Sequence, residues 1–439
     1  MKHGEKRSAH GTRFWLVLLS LVGILSLLAL SCGGGDDNKK AGTTPTAGNT
    51  PAAAKGQLKI GVLFDFTGDL AEFGPNMMHG AQLAAKDIND AGGVMGQDID
   101  LKQADSQTSP APAVNAAKQL VESDKVSAVV GSLSSGVTLA VAEGVTIPDK
   151  IIQISPASTS PALTVEKDND FLFRTTLSDA AQGIELAKLA KELGYSKVAT
   201  LYVNNAYGQG LSDNFKKSFE ELGGTVTATV PHEQEQASYL AELQKATDGK
   251  PDALAALSYP ESATVYLKEG FEAGLLTKVL FCDGTQSQKI VDAVGAAKLE
   301  GMEGTVSSAA ETPTDWKSEF EAAYGTLPHL PYIAESYDAV IMIALGAEKA
   351  QSTDPTKIRD AMRTLNDPSG EKVTSGAAGI KRALELIRQS KPINYQGASG
   401  FHGWDKNGDV PDGYIQIWKY EGGQIVTVRT DPVTLPAAQ

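Results

Sequence analysis

Leu58-Lys59-Ile60-Gly61-Val62-Leu63-Phe64 opens the part of the chain whose reading decides the fold. An apolar, β-branched run of this length, stopped by Asp65, predicts a buried strand. Behind it, 75–91 reads as a helix with Pro75 in its first turn. The same alternation then repeats. Further strands are expected at 126–130, 151–154, 198–203, 225–230, 253–257 and 279–281, with helices at 111–122, 180–193, 210–222 and 262–273 between them. Strands alternating with helices of this length build parallel sheets covered on both faces. There are too many such units for one sheet, so the expected fold is α/β with two doubly wound parallel-sheet lobes. The end of the chain differs. Helices at 336–350 and 377–389 are followed by strand-like pieces around Phe401, at 414–420 and at 424–428, with turns at Asn407-Gly408 and Gly422-Gly423. This tail must return to sheets begun earlier.

The composition suits such a body. The 439 residues are 41% hydrophobic and 21% charged, with a formal net charge of −14. That charge argues against nucleic acid as the main partner, which would need a basic face. Two cysteines, Cys32 and Cys282, are too few for a disulfide framework or a multi-cysteine zinc site. No cofactor or metal is expected.

Upstream of the first strand the chain carries an address. Lys2, Lys6, Arg7 and Arg13 precede an apolar run over 14–30, the charged and apolar regions of a secretion signal. The run is also just long enough to be read as an uncleaved membrane span. It ends at Ala29-Leu30-Ser31-Cys32, which resembles the lipobox of bacterial lipoproteins, with Ala29 where leucine is usual. The expectation is a signal peptide over 1–31 and acyl chains on Cys32. Two or more chains, at about 0.8 kcal/mol per buried CH₂, hold a protein stably on a membrane. Residues 32–57 lack large apolar side chains and read as the lipidated cysteine and a flexible tether, spanning roughly 25–30 Å as a coil. Either way the bulk of the chain lies outside the cytoplasm.

Motifs that suggest catalysis are weak. In Gly131-Ser132-Leu133-Ser134-Ser135-Gly136 the glycines stand one residue too far apart for a nucleophile elbow. Gly208-Gln209-Gly210 lies between a strand and a helix, but Asp213 stands where a dinucleotide site needs its third glycine. Asp405-Lys406-Asn407-Gly408-Asp409 has the spacing of a calcium loop, yet Val410 and Gln416 occupy positions that require Gly and Glu, and a turn on Asn-Gly is expected. Cys282 reads as a small buried residue ending a strand. What remains are hydroxyl-rich turns after strands: Ser134 and Ser135 in one, and Ser155-Pro156-Ala157-Ser158-Thr159-Ser160-Pro161 in the other. Ligands of open α/β sheets bind outside such strand ends, and hydroxyls with free N–H groups suit a carboxylate. Plain helix capping would use the same residues.

These pieces, taken in order, resemble the branched-chain amino-acid binding proteins of ABC importers, the type I periplasmic-binding-protein fold. The resemblance runs from about Leu58 to Val428. It is carried by Lys59-Ile60-Gly61-Val62, Asp87-Ile88-Asn89-Asp90-Ala91 with the turn through Gly96, Val130-Gly131-Ser132, and Ile154-Ser155-Pro156-Ala157-Ser158-Thr159. Asn205-Ala206-Tyr207-Gly208, Tyr332-Ile333-Ala334-Glu335-Ser336-Tyr337-Asp338 and Tyr395-Gln396-Gly397-Ala398-Ser399-Gly400 continue it. The resemblance implies two lobes joined by three hinge crossings, lobe one at 58–178 plus 309–412 and lobe two at 179–308 plus 413–439, with Asp179 at the first crossing. Carried over by position, Ser135 and Thr159 would hold a ligand's α-carboxylate and α-amino group, within the turn that includes Ser158, and Ala157 would do so through its backbone. Asp283 would meet the ammonium, where many members have Glu. Phe73, Tyr207, Tyr259 and Tyr332 would form aromatic walls. The function implied is a lipid-anchored receptor outside the cell that delivers an amino acid to an ABC permease, with no chemistry on it. A ligand sensor docked on a signalling membrane protein, or a receptor for a related amide, urea or aromatic acid, is the alternative.

Overall fold

The computed structural model describes residues 56–435. The signal segment, Cys32 and nearly all of the tether lie outside them. The described residues form fourteen strands: β1 (Lys59–Phe64), β2 (Asp100–Asp105), β3 (Ala128–Gly131), β4 (Ile152–Ser155), β5 (Leu172–Arg174), β6 (Lys197–Val203), β7 (Thr225–His232), β8 (Ala253–Leu257), β9 (Val279–Leu280), β10 (Glu303–Ser308), β11 (Glu371–Thr374), β12 (Ile393–Gln396), β13 (Asp412–Glu421) and β14 (Gln424–Thr434).

The first sheet is parallel, in the order β2-β1-β3-β4-β5. The second repeats that plan as β7-β6-β8-β9, also parallel. Its far edge is extended by β10, because Phe281 exchanges backbone hydrogen bonds with Glu303 and Thr305. Antiparallel β13 and β14 then complete that side. The tail therefore does return, to the second sheet. The piece around Phe401 is a loop rather than a strand, with Phe401 itself buried.

Burial explains the parallel pairing. Every residue of β3, β4 and β8 is buried, as expected of central strands covered on both faces. The chain crosses between the sheets three times: after β5, after β10 and before β13. In both sheets the strand order reverses beside the first strand, between β1 and β3 and again between β6 and β8. A crevice opens at the carboxyl ends of strands at such a reversal.

Two helices brace the first sheet, Gly74–Asp90 and Ile333–Ala350. The second is buried around nearly its whole circumference, which suits its apolar run from Ala339 to Leu345. Their approach depends on Gly80, where a Cβ would come within 2.2 Å of the Ile333 carbonyl oxygen. In an exposed helix a Gly→Ala change gains about 1 kcal/mol. Against a fixed backbone atom, overpacking costs about 1–3 kcal/mol and wins. Gly80→Ala is thus expected to lower the urea unfolding midpoint, and Gly80→Val to lower it further.

Buried polar groups tie the same region together. The Tyr337 hydroxyl donates to Asp87 Oδ2 at 2.7 Å. Asp338 accepts from the Tyr395 hydroxyl and from the Ala398 and Ser399 N–H groups, at 2.7, 2.9 and 2.9 Å. Three of the stretches that carry the family resemblance thus meet in one structural knot.

Candidate functional site

The two reversal points face each other, and the loops leaving β1, β3 and β4 meet those leaving β6, β8 and β9. Between them lies a small cavity of about 20 Å³, room for roughly one water. Its lining includes Phe73, Ser135, Ala157, Tyr207, Tyr259, Asp283 and Tyr332, together with Leu70, Leu133 and Gly284. Seven of the nine residues expected at a site thus converge on one point. Ser158 and Thr159 stand behind it.

Local structure sets each side chain. Asn205 caps the helix Ala206–Glu221 by accepting from the N–H groups of Tyr207 and Gly208, which fixes the direction of Tyr207. Tyr207 stacks on Tyr259, centroids 5.4 Å apart and planes within 8°. The Tyr259 hydroxyl accepts from Asn205 at 3.1 Å and donates across the cleft to Ser134 Oγ at 3.0 Å. The 155–160 turn is held from within. Ser155 Oγ donates to the Ser132 carbonyl and accepts from the Ser158 N–H, while Ser135 Oγ accepts from the Ser160 N–H. The Ser158 hydroxyl turns inward, onto Thr138 Oγ1 at 2.8 Å and the Leu133 carbonyl. It braces the turn.

Asp283 is the centre of the arrangement. It is 3% exposed and follows β9. Its Oδ1 accepts from the Tyr207 hydroxyl and from Gln182 Nε2, both at 2.8 Å, and its Oδ2 accepts from the Tyr332 hydroxyl at 2.5 Å. Gly284 permits this crowding, because a Cβ there would lie 2.3 Å from the Ser258 carbonyl oxygen and 2.9 Å from the Tyr207 hydroxyl. Burial, then the charge of Asp283, push the Tyr207 and Tyr332 hydroxyls well above the ordinary phenol range, so both stay protonated donors. All three donors are neutral, and no lysine or arginine lines the cavity.

Asp179, in the first turn of the helix Asp179–Glu192, adds a second buried carboxylate. Its Oδ2 accepts from Thr159 Oγ1 at 2.9 Å, and its Oδ1 has no partner among the described residues. Burial, and then repulsion from Asp283, raise its carboxyl well above the usual range. Arg174 is the cation nearby, and it is committed to Asp409. Asp65, just past β1, is also buried and pushed up to about 6, chiefly by burial. A buried carboxylate supported only by neutral donors favours a cation, since an unpaired charge in such surroundings is costly. Cys282 cannot act as a nucleophile here. Burial, then the charge of Asp283, raise its thiol to about 12, and its Sγ donates to the Ala256 carbonyl.

Sequence reasoning missed Gln182. A glutamine in a helical turn carries no signal until the fold brings it against Asp283. Other motifs resolve into structure: Gly208 and Gly210 lie in the helix that Asn205 caps, and Asp405 Oδ1 closes its own turn by accepting from the N–H groups of Asn407 and Asp409. Among the described residues no helix is long and apolar enough to cross a membrane.

The sequence profile of the family described as periplasmic binding protein matches residues 57–382. This chain belongs to that family. As a periplasmic binding protein it binds a solute outside the cytoplasm and is not an enzyme. It is 27% identical over 380 residues to the Leu/Ile/Val-binding protein homolog 3 of Brucella melitensis, covering 85% of this chain and 94% of that one. It is also 27% identical over 340 residues to the chemotactic signal transduction system substrate-binding protein BasB of Halobacterium salinarum, covering 76% and 79%. Among solved structures, the leucine binding protein LivK of Thermotoga maritima superposes with a TM-score of 0.72 at 26% identity, over 85% of this chain and 98% of that one. The two-lobed plan of this periplasmic binding protein is therefore shared with leucine-type receptors.

Proposed function

We propose that this chain captures an amino acid, branched-chain or otherwise apolar, in the cleft between its lobes and delivers it to an ABC permease. The observation that carries the reading is Asp283, a buried carboxylate with only neutral donors, facing the Ser135–Thr159 turns across an aromatic cavity. An ammonium supplies the missing cation. Ser135, Thr159 and the Ala157 backbone engage the α-carboxylate and α-amino group, with Ser158 bracing their turn. Phe73, Tyr207, Tyr259 and Tyr332 enclose the side chain. Because the cavity holds only about 20 Å³, an amino acid enters with the lobes apart and the aromatic walls move around it. Lobe one comprises 58–178 plus 309–412 and lobe two 179–308 plus 413–439. The body is tethered by 32–57 to a membrane through acyl chains on Cys32, after removal of 1–31. The likeness to BasB favours one second reading, a sensor that hands its ligand state to a signalling membrane protein.

Calorimetry with a panel of amino acids, sugars, amides and benzoate tests the core of this proposal. The expected result is heat from apolar amino acids with single-site stoichiometry. Heat only from sugars, amides or benzoate would overturn it.

A further inference from the structure

We infer that Asp179 and Gln182 are positioning residues that aim one hydroxyl and one carboxylate, from opposite sides of the cleft, at the ligand's ammonium; this rests on the reading above. The two lie three residues apart in the first turn of one helix, so both side chains leave the same face. Asp179 reaches Thr159 in the hydroxyl turn of the first sheet, and Gln182 reaches Asp283 beyond the second sheet. Both are at most 1% exposed. This helix begins at the first crossing, which lets it touch both halves of the site.

The chemistry follows from counting protons and lone pairs. Thr159 has one hydroxyl proton, and it is given to Asp179 Oδ2. Only lone pairs of its oxygen remain for a ligand, which makes Thr159 an acceptor. An ammonium offers donors only, so the match is specific. Gln182 Nε2 donates to Asp283 Oδ1 and to the Thr305 carbonyl at 3.4 Å, and so fixes one oxygen of Asp283 while Tyr332 fixes the other. Neither residue lines the cavity; Asp283 does, and Thr159 lies just behind its wall. They act through the residues they hold.

The pairing also predicts a pH signature. The groups facing Asp179 are Thr159, Asp283, the Tyr207 and Tyr332 hydroxyls, which stay protonated, and Arg174, the last engaged by Asp409. Burial and the Asp283 charge favour a proton on Asp179, and an arriving ammonium favours its loss. Ligand affinity therefore rises with pH, and binding releases a proton to buffer.

The experiment uses L-leucine, L-isoleucine and L-valine on the full chain, by calorimetry from pH 5.5 to 8, with unfolding midpoints recorded without ligand. Asp179→Ala and Gln182→Met are each expected to weaken leucine binding at least tenfold. Asp179→Asn keeps an acceptor for Thr159, so it should recover most of that loss at pH 7 while flattening the pH dependence of the wild type. Wild-type leucine affinity in both Asp179→Ala and Gln182→Met would overturn the inference alone. So would an Asp179→Asn variant as weak as Asp179→Ala, since that marks a general structural role. A wild-type chain that binds none of the three amino acids would overturn the functional reading and this inference together.

Discussion

Replacing Asp283 by alanine is expected to weaken amino-acid binding by roughly 30-fold to several thousandfold. Truncating one partner of a buried, hydrogen-bonded charge pair costs about 2–5 kcal/mol, and each 1.4 kcal/mol is tenfold in affinity. The upper part of that range is favoured by this site. Asp283 is 3% exposed, and no lysine or arginine around the cavity could take over as a partner or be repelled by the ammonium. Alanine also strands three donors, the Tyr207 and Tyr332 hydroxyls and the Gln182 amide, so part of the effect could pass through folding. Asp283→Asn separates the two. It keeps the shape and one acceptor, should unfold near the wild-type midpoint, and should still lose at least tenfold in leucine affinity by calorimetry. Affinity within threefold of wild type in Asp283→Asn would show that the ammonium is held elsewhere.

The fold was legible because its signal is local. Runs such as 60–64 and 253–257 are apolar throughout, and a strand buried on both faces leaves that mark in sequence. The strands not anticipated lack it. β2 is half-buried and polar, Asp-Leu-Lys-Gln-Ala-Asp. β10 reads Glu-Gly-Thr-Val-Ser-Ser, and it is placed by pairing with Phe281 and with β13, which lies more than a hundred residues away in the chain. Residues that line the cavity were legible where a strand end or a family position marked them, as for Ser135 and Asp283. Gln182 was not, because its meaning is a contact across a hundred residues. The resemblance itself rests partly on residues away from the cavity. Asp87, Tyr337, Asp338 and Ser399 form the buried knot beneath the helix 333–350, so what identified the family there was architecture rather than a ligand site.

Arg174→Met is expected to cost about 3–5 kcal/mol of stability, the usual penalty for leaving one member of a buried ion pair alone. Arg174 stands at the end of β5, before the first crossing, and Asp409 lies in the third. They are 1% and 2% exposed. The Nε of Arg174 donates to Asp409 Oδ1 at 2.7 Å, and Nη2 lies 2.7 Å from the same oxygen. The same guanidinium donates to the Ser158 and Ser160 carbonyls at 3.3 and 3.0 Å and to Thr164 Oγ1 at 2.8 Å. The Arg174 carbonyl accepts from the Trp404 indole at 2.7 Å, and its N–H donates to the Gly408 carbonyl at 3.1 Å. Methionine replaces none of the side-chain bonds and leaves the Asp409 carboxylate buried without a cation. Two contributions can be told apart by a second change. If the cost is chiefly the stranded charge, Arg174→Met combined with Asp409→Leu should regain more than half of the loss, because an apolar pair of similar volume is often as stable as a buried ion pair. If the cost is chiefly the carbonyls of the 158–160 turn, the double variant stays as unstable as the single one. The stranded charge should dominate, since an unpaired buried carboxylate is dearer than two unmet carbonyl acceptors. Urea unfolding of wild type, single and double variants measures both. A single variant as stable as wild type would remove the ion pair from any account of how the first and third crossings are held together.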